Sequence, residues 1–211
     1  MRDVNVQFIY STEGPQSKDY FPLLLLSFYL DKVLYKTLRI EYGLSYAPDS
    51  GVHWYPESGL LSLKADVELD TETDTIAIMN QLVTDLLNHQ LDEIILDNQK
   101  RWFLLGWLQS FESNDSYVDF YVNQLDDFKR NQAFRHIDAE FSNVDKEDLY
   151  RVIDKYLGNE KKLIGIDKPV ISFTQLSIIL TAAIILLLMS ISYRLQKKRR
   201  SKNTKRIFSS K

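Results

Sequence analysis

The stretch Arg39-Ile40-Glu41-Tyr42-Gly43-Leu44-Ser45-Tyr46 sets a guanidinium and a phenol seven residues apart, on either side of a glycine. It falls where a long apolar helix must stop and an extended segment must begin. Both side chains could therefore be aimed into one cleft by the turn between them. A plainer reading exists. A cation in the last turn of a helix complements the helix dipole, and Tyr46 could be an ordinary half-buried strand aromatic. On pattern alone the plainer reading is favoured, because basic residues are common at helix ends.

Other chemistry is largely excluded. The histidines are His53, His89 and His136. No two share helical spacing, and neither H-E-x-x-H nor H-x-x-E-H occurs. Without two clustered imidazoles and a carboxylate, a catalytic zinc has no ligand set here. Each histidine reads as a surface or hydrogen-bonded polar residue. The absence of cysteine removes disulfides, thiolate metal sites and cysteine nucleophiles together. No glycine-rich phosphate loop and no G-x-S-x-G is present. Asn114-Asp115-Ser116 fits a glycosylation sequon, a pattern common by chance.

Charge is divided unevenly. Nine of the 26 Lys and Arg residues follow Tyr193, and none of the 29 Asp and Glu does. Residues 1–193 are thus left with 17 basic and 29 acidic side chains, a net charge of −12. So acidic a body argues against a nucleic-acid partner. Between it and the basic tail, Ile171 to Tyr193 carries no charge. As a helix this run is roughly 35 Å long at 1.5 Å per residue, against about 30 Å of bilayer hydrocarbon. It reads as a single transmembrane helix, and the Lys/Arg cluster after it as a cytoplasmic stop. The body then lies outside the cytoplasm, which in a bacterium would be the periplasm. Export needs a signal, and Met1-Arg2-Asp3 leads straight into a strand pattern. Phe21–Leu30 is only ten residues long and lacks a cleavage site, so it is no signal peptide. The economical expectation is the end of a longer protein, or one piece of a split gene.

The elements that must hold Arg39 and Tyr46 follow from periodicity. Val4, Val6, Phe8 and Tyr10 alternate as a strand, followed by a loop over Ser11–Ser17. Lys18–Tyr42 is predicted to be a helix with an apolar face wide enough to bury against a sheet, ended by Gly43. Leu44–Trp54 is extended, with a bend at Pro48–Gly51, and Pro56–Gly59 is a turn. Leu61, Leu63, Ala65, Val67 and Leu69 form a strand with one wet face. Asp70 or Thr71 should cap a helix bearing Ile76, Met79, Val83 and Leu86. Helices follow over Leu91–Phe111 and Asn114–Phe128. A last short helix opens at Asn143–Asp148 and runs to Tyr156, ahead of a strand at Lys161–Ile166. Pro169 closes the domain. This order indicates an α+β domain with a mixed or antiparallel sheet backed by helices.

Two segments carry a family resemblance. Leu34-x-x-x-Leu38-Arg39-x-Glu41-x-Gly43-Leu44-Ser45-Tyr46 resembles the helix-to-strand passage of the insulinase/pitrilysin zinc metallopeptidases. Val144–Leu157 is similar to that family's closing helix, and the strand at Lys161–Ile166 follows in order. The likeness runs from Val4 to Ile166. It implies a partial insulinase-like carboxy-terminal peptidase domain over residues 1–167; the hydropathy and charge pattern adds a transmembrane helix over 168–193, not a general feature of that family, and a basic tail over 194–211. The resemblance implies a clamshell of two halves in which the other half carries zinc on H-x-x-E-H, so that this chain binds no cofactor and is inactive alone. The family's Arg and Tyr pair, which hydrogen-bonds a peptide backbone near the scissile bond, corresponds to Arg39 and Tyr46. Substrates would be peptides or unfolded protein segments. The alternative is a pseudopeptidase, a membrane-tethered binding or scaffold module that never meets a zinc half. Relative to the family, the first part of the half is missing, which would leave Val4–Tyr10 at an unpaired sheet edge.

Overall fold

The computed structural model describes residues 4–109, 114–125, 128–129, 136–158, 161–168 and 173–208. The chain divides into two compact units, Met1–Lys168 and Pro169–Lys211.

The first unit is built on a four-stranded sheet that is antiparallel throughout. Its strands are β1 (Val4–Glu13), β2 (Asp49–Trp54), β3 (Ser58–Val67) and β4 (Lys162–Asp167), in the order β2-β3-β1-β4. The alternation in β1 works as expected. Val4, Val6, Phe8 and Tyr10 are buried, and they lie opposite Val67, Ala65, Leu63 and Leu61 of β3 on the same face. The strand is longer than its alternating run and takes in Ser11–Glu13, which the sequence reads as loop. The expectation that Val4–Tyr10 lies at an unpaired edge is overturned. β1 is interior, paired with β3 on one side and with β4 on the other, Val6 opposite Ile166 and Phe8 opposite Ile164. The hydrogen-bonding demand of β1 is met by the end of its own domain, more than 150 residues away in the chain.

The edges of the sheet are instead β2 and β4. Ile164 and Ile166 share the core face of Phe8 and Val6 yet are 41% and 46% exposed, because the helical layer does not extend over them.

Helix α1 (Tyr20–Leu34) is apolar around most of its circumference, and that pattern implies burial on more than one side. It packs on β2 and β3, and also against α3 (Glu93–Gln109), α5 (Ile137–Ser142) and α6 (Lys146–Tyr156). Leu23, Leu26, Leu30 and Leu34 are fully enclosed. Helix α2 (Glu72–Leu87) packs on β1, β3 and α6, burying Met79, Leu82, Val83 and Leu86. Thr71 stands at its N-cap position, but its hydroxyl donates to the Glu68 carbonyl at 2.9 Å rather than capping the helix. Helix α4 covers Asn114–Asn123, and the predicted extension to Phe128 falls partly outside the described residues. Helix α6 opens with a reciprocal capping box, in which the Asp148 N–H donates to Asp145 and the Asp145 N–H to Asp148.

One buried charge ties the start of α1 to α6. The Asp19 side chain is fully buried. It accepts from the Arg151 guanidinium, from Lys155 Nζ at 2.7 Å and from the Tyr156 hydroxyl at 2.7 Å. Lys155 also reaches Glu13 at 2.7 Å, so the end of β1 joins the cluster. Burial pushes the Asp19 carboxyl up, but the bonds from Lys155, Tyr156 and Arg151 outweigh it and hold the group at about 2.

The second unit contains α7 (Phe173–Phe208). Within it, Gln175–Tyr193 is 19 residues of mean hydropathy 2.4 with none buried, long and apolar enough to cross a membrane.

The depressed Asp19 group stabilises the fold where it is ionised. Its contribution is complete above about pH 4 and is lost as pH falls through about 2. Asp19→Asn should therefore destabilise the protein by about 3 kcal/mol at neutral pH. It should also remove the acid-dependent part of unfolding between about pH 4 and 2, read by chemical denaturation across that range in detergent. A variant with wild-type acid dependence would show that the cluster is energetically idle.

Candidate functional site

The segment after α1 is not an ordinary helix end. Tyr35–Glu41 forms a π-helical turn, closed by the Tyr42 N–H donating to the Thr37 carbonyl at 3.0 Å. Single π-helical turns occur frequently at functional sites. The next N–H groups return to one acceptor: Leu44 donates to the Leu38 carbonyl at 2.8 Å and Ser45 to the same oxygen at 3.2 Å. Gly43 sits at φ +64°, in the left-handed region that glycine enters without cost. It is the helix stop that its position in the sequence predicts.

Beyond Gly43 the chain meets the sheet through a bulge. Ser45 bridges to Val67, and Asp49 pairs with Lys64. Four steps along one strand thus match three along the other, which leaves one extra residue within Tyr46–Pro48. Asp66 holds this bulge. Its Oδ1 accepts the Ser45 hydroxyl at 2.5 Å and the Ala47 N–H at 2.8 Å, one bond on each side of Tyr46.

Arg39 and Tyr46 meet as a result. Arg39 Nη1 donates to the Tyr46 backbone carbonyl at 2.6 Å. Its guanidinium carbon lies 4.3 Å from the Tyr46 ring centroid and 5.1 Å from that of Tyr35, between two aromatic faces. Such contacts contribute about 0.5–1 kcal/mol each at an exposed site. Arg39 therefore does more than complement a helix dipole. Tyr46 is 62% exposed and not a half-buried strand aromatic.

Two clefts lie among the described residues of this unit. A cleft of about 300 Å³ lies between the π-helical turn and α2, lined by residues including Thr37, Glu41, Tyr42 and Asp85. Another of about 470 Å³ lies between α3 and the start of α6, with Asp97, Lys100 and Asp145 on its walls. Neither is lined by Arg39 or Tyr46, which stand together on an open surface. Sequence reasoning missed Tyr35 and Asp66. Tyr35 was legible as the residue one helical turn before Arg39. Asp66 read only as the wet face of a strand, because the bulge it holds has no sequence signal.

The histidines lie apart. His89, at φ +58° after α2, has Nε2 3.1 Å from the Asp154 carboxylate and its ring stacked on Tyr150. His53 and His136 are exposed. Among the described residues, no group of three or more His, Cys, Asp or Glu side chains could hold a metal ion.

Residues 2–101 match the family model of the peptidase M16 inactive domain. The fold is similar to that of a protease from Helicobacter pylori, with TM-score 0.70 and 17% identity over 80% of this chain and 42% of that one. It is similar also to an inactive peptidase domain from Bordetella parapertussis, with TM-score 0.63 and 13% identity, covering 79% of this chain and 93% of that one. A third likeness is to the periplasmic protease PqqL from Escherichia coli, with TM-score 0.62 and 15% identity over 80% of this chain and 19% of that one. Among curated proteins none matches the sequence. Residues 2–101 are thus similar to the inactive domain of M16 peptidases, and the fold of the described residues is that of such domains. In that family the zinc belongs to the other half. The present chain spans less than half the length of the Helicobacter protease it resembles.

Gly43→Ala separates backbone conformation from packing, since a Cβ there would meet nothing within 4 Å. The left-handed φ alone should cost about 1–2 kcal/mol, measured as a shift of the denaturation midpoint at unchanged slope. A neutral substitution would mean that the turn tolerates another backbone path.

Proposed function

We propose that this chain is the membrane-anchored, non-catalytic carboxy-terminal portion of a zinc metalloendopeptidase, and that Arg39 and Tyr46 grip the backbone of a peptide substrate opposite a zinc-bearing half. One observation carries the reading: Arg39 already donates a short hydrogen bond to a backbone carbonyl, that of Tyr46. A bound peptide would present the same chemical group. A guanidinium has five N–H donors in a rigid fork, and the bond to Tyr46 uses its Nη1 side. The rest of the fork and the Tyr46 hydroxyl could engage a peptide carbonyl from the open surface. A charged donor there would anchor the chain and stabilise negative charge developing on the scissile carbonyl oxygen. The exposure of Tyr46 suits a half-site. The zinc-bearing half would supply the opposite wall, the metal and the activated water.

The domain boundaries proposed are the peptidase portion over residues 1–167, the transmembrane helix within 168–193 and the tail over 194–211. The span is supported by the composition of Gln175–Tyr193 and by its internal hydroxyl bonding. Thr181 donates to the Ser177 carbonyl at 2.7 Å and Ser190 to the Leu187 carbonyl at 2.9 Å, so neither hydroxyl is left unpaired toward hydrocarbon. The positive cluster sets the tail in the cytoplasm, and the peptidase portion lies outside it. The periplasmic location in the name of the Escherichia coli relative agrees with this topology.

Combined with a zinc-bearing half, Arg39→Ala should lower kcat/KM for an unfolded peptide by about 100-fold or more. Unchanged cleavage would remove Arg39 from the mechanism. The topology has its own check, because the chain lacks cysteine. A membrane-impermeant maleimide should label Ser58→Cys in spheroplasts, and Ser201→Cys only after the membrane is permeabilised. The reverse pattern would invert the orientation.

A further inference from the structure

Asp66 bonds the bulge on both sides of Tyr46. We infer that it is the positioning residue of the Arg39–Tyr46 grip: its carboxylate locks the bulge so that the Tyr46 carbonyl and ring face Arg39. The inference rests on the proposed peptide-gripping role for its functional consequence, but not for its structural content.

The geometry is specific. Strand β3 alternates, with Leu63, Ala65 and Val67 buried in the core and Lys64 and Asp66 on the opposite face. Asp66 is thus presented on the face away from the helices, at the place where the neighbouring strand breaks register. A bulge leaves ladder groups unpaired, and Ala47 N–H is one that needs an acceptor. One Oδ1 takes that N–H at 2.8 Å and the hydroxyl of the buried Ser45 at 2.5 Å. Short hydroxyl bonds of this kind are typical of carboxylate acceptors. Tyr46 is held between these two fixed points. Its carbonyl can then turn only within a narrow range, and that range contains the 2.6 Å bond from Arg39. From the other side, Arg39 is fixed by the π-helical turn and by Tyr35 beneath it. The two ends of the contact are therefore positioned independently, and Asp66 sets the one that the sheet supplies.

The experiment uses the full chain in detergent micelles, with hydrogen–deuterium exchange across residues 45–47. Fluorescein-labelled reduced, carboxymethylated α-lactalbumin serves as an unfolded probe. In Asp66→Ala the Ala47 amide should exchange at least 10-fold faster. Probe affinity should fall about as far as in Tyr46→Ala, and the double variant should bind no more weakly than Tyr46→Ala alone. Asp66→Asn keeps an Oδ1 acceptor and should recover most of both effects, which a general loss of folding would not do. Wild-type exchange at Ala47 in Asp66→Ala would overturn the inference. So would additive affinity losses from Asp66→Ala and Tyr46→Ala, which would show that the two residues act separately. Faster exchange in Asp66→Ala, together with no probe binding by the wild-type chain, would uphold the positioning role and sink the peptide-gripping reading instead.

Discussion

The carbonyl oxygen of Leu38 accepts two backbone N–H groups, those of Leu44 and Ser45, and the path of the chain through the candidate site depends on it. Leu38 is fully buried, so its carbonyl lies where an unsatisfied acceptor would be costly. Helix α1 is enclosed by the sheet on one side and by helices on the other, which fixes the direction in which it can end. A buried helix end must find partners for its last carbonyls. Here they come from the chain doubling back through Gly43. The same reversal delivers Ser45 to its bridge with Val67. Satisfying one buried acceptor and starting the β2 side of the sheet are a single structural event.

That event requires two irregularities, and they face each other. The π-helical turn lies on the helix side and the bulge on the strand side. A regular helix running into a regular hairpin would not bring the side chain of residue 39 onto the carbonyl of residue 46. Departures of this kind tend to be kept where they aim a side chain. Several other elements of the unit are regular. Strand β1 keeps register with β3 across all ten of its residues, and α6 is capped at its start and buried along one face. The Asp19 cluster and the antiparallel sheet make a frame, and the π-helical turn and the bulge lie together on its β2 side.

Much of this frame was legible in the residue pattern, because its cause is local. Alternation marks β1 and β3, since a strand half-buried against helices must alternate. Asp145 and Asp148 mark the start of α6 by the chemistry of capping, and Gly43 marks the end of the helical run. What was not legible is what depends on partners distant in sequence. The interior place of β1 is set by Lys162–Asp167, and no property of Val4–Tyr10 indicates it. Asp19 reads as a carboxylate in the first turn of the predicted helix until α6 brings Arg151, Lys155 and Tyr156 around it. Of the site, the types and spacing of Arg39, Gly43 and Tyr46 could be read. The π-helical turn, the extra residue at Tyr46–Pro48 and the role of Asp66 could not, because each arises from register between segments that only the fold places side by side.

The form of the Arg39–Tyr46 contact also limits what such a site can recognise. Its polar half is a guanidinium on a backbone carbonyl, and every residue of any peptide carries that carbonyl. A grip of this type, as proposed, would supply affinity without reading side chains, as in other modes of recognition based on main-chain hydrogen bonds. Its aromatic half adds the faces of Tyr35 and Tyr46, which stack on a planar cation and make no pocket. Selectivity among peptides would then come from elsewhere: from the opposite half of the enclosure, or from the long-range field of a body carrying a net charge of −12 over residues 1–193. A zinc-free wall that holds backbone and leaves chemistry and choice to its partner needs neither a deep cleft nor a metal site of its own. It needs an arginine held at a fixed distance from the sheet, and the buried Leu38 carbonyl secures that distance.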